Sequence, residues 1–297
     1  MSIWAAWVLQ GRARSILIVS ATGLLSLIIL PVALISGAVV TLIALRNRLE
    51  EIAAVLFAAS ALCTVFLWAV LGRAELALQL PVFWILAAAG GVVLRRSSNM
   101  ALALLVPVCA GLLIVGLIYM MYAEPVELWK EVLVQSGQVL GLDPDAAGFS
   151  DIVTQRARLM TGMVAAAVMA GMSSCLLLGR WWQASLYNPG EFGREFRSLR
   201  CGRGITLLIV GLYALCLWNG SELLLSVLCV LAALYGFQGL ALVHTFAKAR
   251  TMNFMAITIF YVVVLLSIYA KLFLSVLGMV DAWVDSRRRW LGGASSV

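Results

Sequence analysis

The side chains able to do chemistry are few and scattered. His244 is the single histidine. A Ser/His/Asp arrangement needs a histidine placed beside a nucleophile and an acid, and no such set is suggested around His244. No H-E-x-x-H run and no glycine-rich nucleotide loop occur, so the two commonest sequence marks of zinc hydrolysis and ATP hydrolysis are missing. The six cysteines are Cys63, Cys109, Cys175, Cys201, Cys216 and Cys229. No two stand in C-x-x-C spacing, and a structural zinc site needs about four clustered ligands. Five of the six sit in apolar runs and read as buried, inert thiols. The acids avoid those runs: Glu50, Glu51, Glu75, Glu222, Asp281 and Asp285 stand at their ends. Asp281 and Asp285 share a helix face, with Arg289 four residues beyond Asp285, which reads as a surface ion pair. Intramembrane carboxylates are the usual proton relays, and none is expected here. The expectation is a non-enzyme without metal or cofactor. Gln238, His244 and Asn219, with Asn253, are the polar residues best placed near run ends to contact a small molecule; each taken singly reads first as a satisfied helix-packing group.

The elements that carry these residues must be membrane helices. The chain is 63% hydrophobic and only 12% charged, against roughly a quarter charged in soluble domains. That excludes a soluble domain, a disordered chain and a disulfide-stapled module, and the lack of polar/apolar alternation excludes a porin-type barrel. A span needs about 20 apolar residues. Residues 51–71, 76–94, 100–122, 159–179, 204–218, 223–243 and 253–270 qualify. The stretches 15–45, with Pro31 near its middle, and 252–286, with Lys271 near its middle, are too long for one span. The reading is an all-α polytopic bundle of eight to ten membrane segments in a single integral membrane domain, 1–297. Drawing both long stretches as short-helix hairpins leaves only Arg73, Lys130, Arg156, Arg158 and Lys271 of the 21 Lys and Arg outside. Drawing each as one crossing splits the cations almost evenly, so the positive-inside rule selects the hairpins. Both termini are then cytoplasmic. The net charge of +7 is accounted for by cytoplasmic loops, and no nucleic-acid partner is implied. The run beginning at Ser15 lacks a cleavage region and is not a secretory signal. Ile3, Trp4, Trp7 and Val8 ahead of it suggest a short helix in the interface.

Three hydrophilic stretches remain, one of them the C-terminal tail after Asp281. Residues 123–158 read as a helical hairpin at the outer surface, opened by Glu124-Pro125 and turned at Asp143-Pro144-Asp145. Residues 180–203 form the largest cytoplasmic loop. There Trp181, Trp182 and Tyr187 precede the turn signal Asn188-Pro189-Gly190, and Phe192, Phe196 and Leu199 recur at amphipathic helical spacing. Arg194, Arg197 and Arg200 take other faces. The loop suits either an interfacial helix with arginines on anionic lipid or a docking surface for a cytoplasmic or membrane protein. Small residues recur every fourth position at Ala33, Gly37 and Thr41 and at Gly162, Ala166 and Ala170, which lets helices approach closely.

Three motifs resemble a known family. They are Arg180-Trp181-Trp182-Gln183 through Tyr187-Asn188-Pro189-Gly190 with Phe192 and Glu195-Phe196, then Gln238-Gly239-Leu240-Ala241-Leu242-Val243-His244, then Leu277-Gly278-Met279-Val280-Asp281-Ala282-Trp283-Val284-Asp285-Ser286-Arg287-Arg288. In this order they resemble the YybS-like predicted bacterial membrane proteins (domain of unknown function 2232). That resemblance implies a bacterial inner-membrane protein, similar in fold to the substrate-binding subunits of energy-coupling-factor transporters and to the rod-shape protein MreD. In those subunits an Ala-x-x-x-Ala pattern docks the coupling protein. The nearest match here runs from Ala33 to Gly37 and departs at its second small position. Two functions stay open: a small-molecule-binding transport subunit without its own ATPase, or a non-transporting scaffold of envelope or cell-shape assembly.

Overall fold

A computed structural model describes Trp7, residues 10–143 and residues 148–284. Every regular element among them is helical. They are α1 (Arg12–Ser26), α2 (Val32–Arg46), α3 (Leu49–Leu71), a 3-10 turn (Ala74–Ala77), α4 (Gln79–Ser97), α5 (Met100–Ala103), α6 (Leu105–Met121), α7 (Pro125–Val139), α8 (Phe149–Tyr187), α9 (Glu191–Arg197), α10 (Arg203–Asn219), α11 (Glu222–Ala249), α12 (Phe254–Leu266) and α13 (Ile268–Val284). Five of the described helical segments are long and apolar enough to cross a bilayer, or six if the bent pair α12–α13 counts as one. The lower number than eight to ten is a matter of length: α2 and α10 are apolar but have only 15 and 17 residues. The polytopic helical membrane class stands.

Two compact units divide the chain. The first holds residues up to Pro107 together with Ala170–Leu199. The long stretch 15–45 breaks at Leu27–Pro31, where proline cannot continue a helix, and α1 and α2 then pack on each other and on α3 and α4. Arg12 at the start of α1 bonds Glu51 at the start of α3 at 2.8 Å. Since α3 begins just after α2 ends, the chain returns to the side it left, as a hairpin must. Trp84 is fully buried against Gly23 and donates its indole N–H to Ser36 at 2.8 Å. That bond satisfies the one polar atom of a large apolar anchor. The stripe Ala33/Gly37/Thr41 faces inward: Gly37 meets Cys175 and Phe83, and Thr41 meets Gly179. It serves as a packing seam within the unit.

The charges of this unit gather at one end. Arg95 reaches the carbonyl of Asn47, and Arg46 lies 3.9 Å over the Tyr187 ring. These contacts bring the C-termini of α2, α4 and α8 together beside the N-termini of α1 and α3. At the far end of α3, Arg73 pairs with Glu75 at 2.8 Å.

The second unit holds Val108–Met169 and the chain from Arg200 onward. Here the hairpin expected at 123–158 is changed. Its first arm is α7, whose Trp129 donates to Thr161 at 2.8 Å. Its second arm is the opening of α8, an unbroken helix of 39 residues, so it is the beginning of a span and not a separate surface helix. The turn residues Pro144 and Asp145 lie outside the described residues, as do Ile3, Trp4, Val8, Asp285 and Arg287 to Arg289; Trp7 is helical and exposed. The stretch 252–286 breaks at Ser267, where α12 and α13 turn by 107°. Lys271 sits just past the bend, and its Nζ donates to the Leu265 carbonyl at 3.1 Å. The amine thereby satisfies a carbonyl that the end of α12 leaves open. No residue of α12 is buried, as expected of an apolar helix whose surface meets acyl chains.

Candidate functional site

The most polar interior lies in the second unit, where α11 crosses α13. Ser221 caps α11 by accepting the N–H of Leu224, and an inward stripe runs along the helix through Leu231, Tyr235, Gln238, Leu242 and Thr245, all buried. At the crossing, Gly239 faces the backbone of Leu274 and Gly278 faces the backbone of Tyr235. A Cβ on either glycine would lie 2.0 Å and 2.1 Å from those carbonyl oxygens. Only two glycines permit so close an approach.

That closeness holds a buried polar cluster together. Gln238 is 0% exposed and Asp281 1% exposed. The Gln238 Oε1 accepts the N–H of Cys201 at 2.8 Å, and its Nε2 donates to Asp281 Oδ2 at 3.1 Å. Tyr235 is also fully buried; its hydroxyl donates to the Gly202 carbonyl at 2.6 Å and accepts from Thr206 at 2.7 Å. Cys201 and Gly202 belong to the non-helical stretch between α9 and α10. Cys201 is half-buried and Gly202 exposed, and side chains of α11 bond the peptide groups of both. Arg203, at the start of α10, donates to the Ala282 carbonyl at 3.1 Å and lies 5.7 Å over Trp283. One carboxyl group therefore sits in an apolar interior, bonded to an amide that also holds an exposed peptide turn.

This corrects the reading of Asp281. It is not a surface group: it is 1% exposed and faces inward, because the Gly278 face of α13 is the face that meets α11. Of the residues proposed from sequence for a ligand, Gln238 is in the cluster and the others are not. Asn219 accepts the N–H of Ser221 at 2.9 Å and shapes the α10–α11 turn. His244 meets the Tyr261 hydroxyl at 2.7 Å. Asn253 caps α12 through the N–H of Ala256. Asp281, Tyr235 and Thr206 were missed. A glycine with a polar residue one position before it, Gln238-Gly239, or three positions after it, Gly278-x-x-Asp281, is the signal that could have found them. Cys109 also departs from the buried-thiol expectation, being exposed on α6.

The 180–203 stretch belongs to the first unit up to Leu199 and is less loop than expected. Trp181 and Trp182 lie within α8, which ends at Tyr187. Its arginine, Arg180, turns inward with a side chain 11% exposed and clasps α9. The guanidinium meets Glu195 at 2.5 Å and 2.9 Å, a two-point contact, and Gln183 at 2.5 Å. Asn188-Pro189-Gly190 forms the turn, with Gly190 at φ 88°, a left-handed conformation that glycine adopts without steric cost. Phe192 and Phe196 stack at 5.9 Å. Phe196 and Leu199 are buried, so this face packs inward and not into headgroups. Trp182 packs against the unit's core, Arg197 is half-buried, and Trp181, Tyr187 and Arg200 remain exposed. Ala33 and Gly37 are engaged by Cys175. Among the described residues, no group of three or more His, Cys, Asp or Glu could hold a metal.

Residues 149–282 match the model of a family described as a predicted membrane protein (DUF2232). The matched stretch contains both the Arg180 clasp and the whole Gln238–Asp281 cluster. No curated protein and no solved structure matches the chain.

Proposed function

We propose that this helical membrane protein is a transport subunit that binds a small polar solute at the Gln238–Asp281 cluster and depends on a separate partner for energy. The buried carboxyl group of Asp281 carries this reading. An ionisable side chain among apolar helices is costly and marks a functional site by default. Gln238 and Tyr235 also hold the non-helical Cys201–Gly202 turn beside that carboxyl group. A solute with hydrogen-bond donors suits the carboxyl. The separate energy source rests on the lack of a nucleotide-binding motif, and the fold analogy with substrate-binding subunits that the family resemblance implies points the same way. The scaffold reading has less support, since Phe196, Leu199 and Arg180 spend themselves inside the first unit. In this reading the protein is no enzyme, lies in a bacterial inner membrane, and has both ends cytoplasmic.

The test is native mass spectrometry of protein released gently from its own membranes, comparing the wild type with Asp281→Asn and Gln238→Leu. The wild type is expected to carry a small molecule of defined mass that Asp281→Asn loses while melting within a few degrees of the wild type. Equal retention by both variants removes the solute from the cluster and defeats the proposal. A wild type that stays empty and gains no stability across a broad metabolite panel defeats it as well.

A further inference from the structure

The first unit carries a second, unrelated site. Its arginine-bearing end exposes Arg46, Arg48, Arg96 and Arg194, and none of the four pairs with a carboxylate among the described residues. Helix C-termini attract cations through their open carbonyls, and Arg95 behaves in that way on Asn47. Arg46 does not. Its guanidinium lies 3.9 Å over the face of Tyr187, and its N–H groups meet no acceptor among the described residues. A guanidinium stacked on a ring keeps its in-plane donors free, which is the geometry that takes a phosphate through two parallel bonds.

The surroundings indicate where that phosphate comes from. Helix α3 leaves from Arg48 and presents Leu49, Phe57, Phe66 and Trp68 outward, Phe57 at 79% exposed. So large an apolar surface must meet acyl chains, and the cations at its end then lie at headgroup level. Arg14 stands 5.2 Å over Trp7 at the same end, adding an interfacial aromatic of the kind enriched at that depth. We infer that Arg46, held by Tyr187 and assisted by Arg48, binds the phosphate of an anionic phospholipid headgroup. The site is independent of the Asp281 cluster.

Detergent-purified protein with phosphatidylglycerol or phosphatidylcholine added tests this by native mass spectrometry. The wild type is expected to hold phosphatidylglycerol in preference to phosphatidylcholine. In Arg46→Gln/Arg48→Gln the phosphatidylglycerol adduct is expected to fall on the order of tenfold, while Arg73→Gln at the other end leaves it unchanged. Tyr187→Leu, which removes only the stack, is expected to weaken the adduct without altering the melting temperature and guards against a misfolded double variant. The inference is overturned by equal binding of the two lipids or by undiminished phosphatidylglycerol in the double variant. Displacement by inorganic phosphate alone overturns it in favour of a free-anion site, and an acidic protein in place of the lipid overturns it in favour of a protein contact.

Discussion

At the residue scale, the contrast between Gln238 and Asp281 is instructive. Both are polar residues within apolar stretches, and a helical pattern leaves either free to face lipid, solvent or a neighbour. Sequence marks Gln238 as a polar group near the end of a span, whereas for Asp281 the arginine four residues past Asp285 supplies a surface explanation. The decision between core and surface came from glycine. With Gly239 and Gly278 opposed, α13 rolls so that Asp281 follows Gly278 into the contact. This gives a sharp expectation. Gly239→Ala places a methyl 2.0 Å from the Leu274 carbonyl oxygen, so the helices must separate. The loss is expected to be about 1–3 kcal/mol or more, read from reversible unfolding in mixed micelles. Gly211→Ala on α10 meets open space and is expected to be neutral or slightly stabilising. Equal effects at the two positions would show that the crossing is not tight.

At the scale of elements, α8 holds the largest difference from the sequence reading. A helix of 39 residues runs about 58 Å at 1.5 Å per residue, almost twice the roughly 30 Å of a bilayer core. Hydropathy marks only the part that spans, so its extensions looked like surface segments at both ends. The extension beyond Arg180 is held by Glu195 of α9. Removing one partner of a buried ion pair costs about 3–5 kcal/mol. Glu195 is 31% exposed, so Arg180→Met or Glu195→Gln is expected to cost nearer 2 kcal/mol. The two changes together are expected to cost less than their sum in a double-mutant cycle, and strict additivity would mean the clasp contributes no coupling.

At the scale of the molecule, orientation can be tested. The C-terminal ends of α2, α4 and α8 in the first unit share one side with the starts of α1 and α3, and by the positive-inside rule that side would be the cytoplasmic one. Reporter fusions after Ser98 are expected to be active only as cytoplasmic reporters, and fusions after Gly72 only as extracytoplasmic ones. The reverse pattern would overturn the orientation, and the same result at both sites would overturn the crossing of α3 or α4.

The membrane class, the helical content and the breaks near Pro31 and Lys271 were set by sequence alone. Their cause is local: span length, apolar composition and a residue that cannot continue a helix or must reach polar surroundings. The turn at Asn188-Pro189-Gly190 was legible for the same reason. Tertiary structure decided what depends on which helix faces lie together. It turned the Ala33/Gly37 stripe and the Phe192/Phe196/Leu199 face inward, stacked Arg46 on Tyr187 from far along the chain, and buried Asp281 beside Gln238. Periodicity names the faces of a helix, but only the partner that packs against a face makes it an interior.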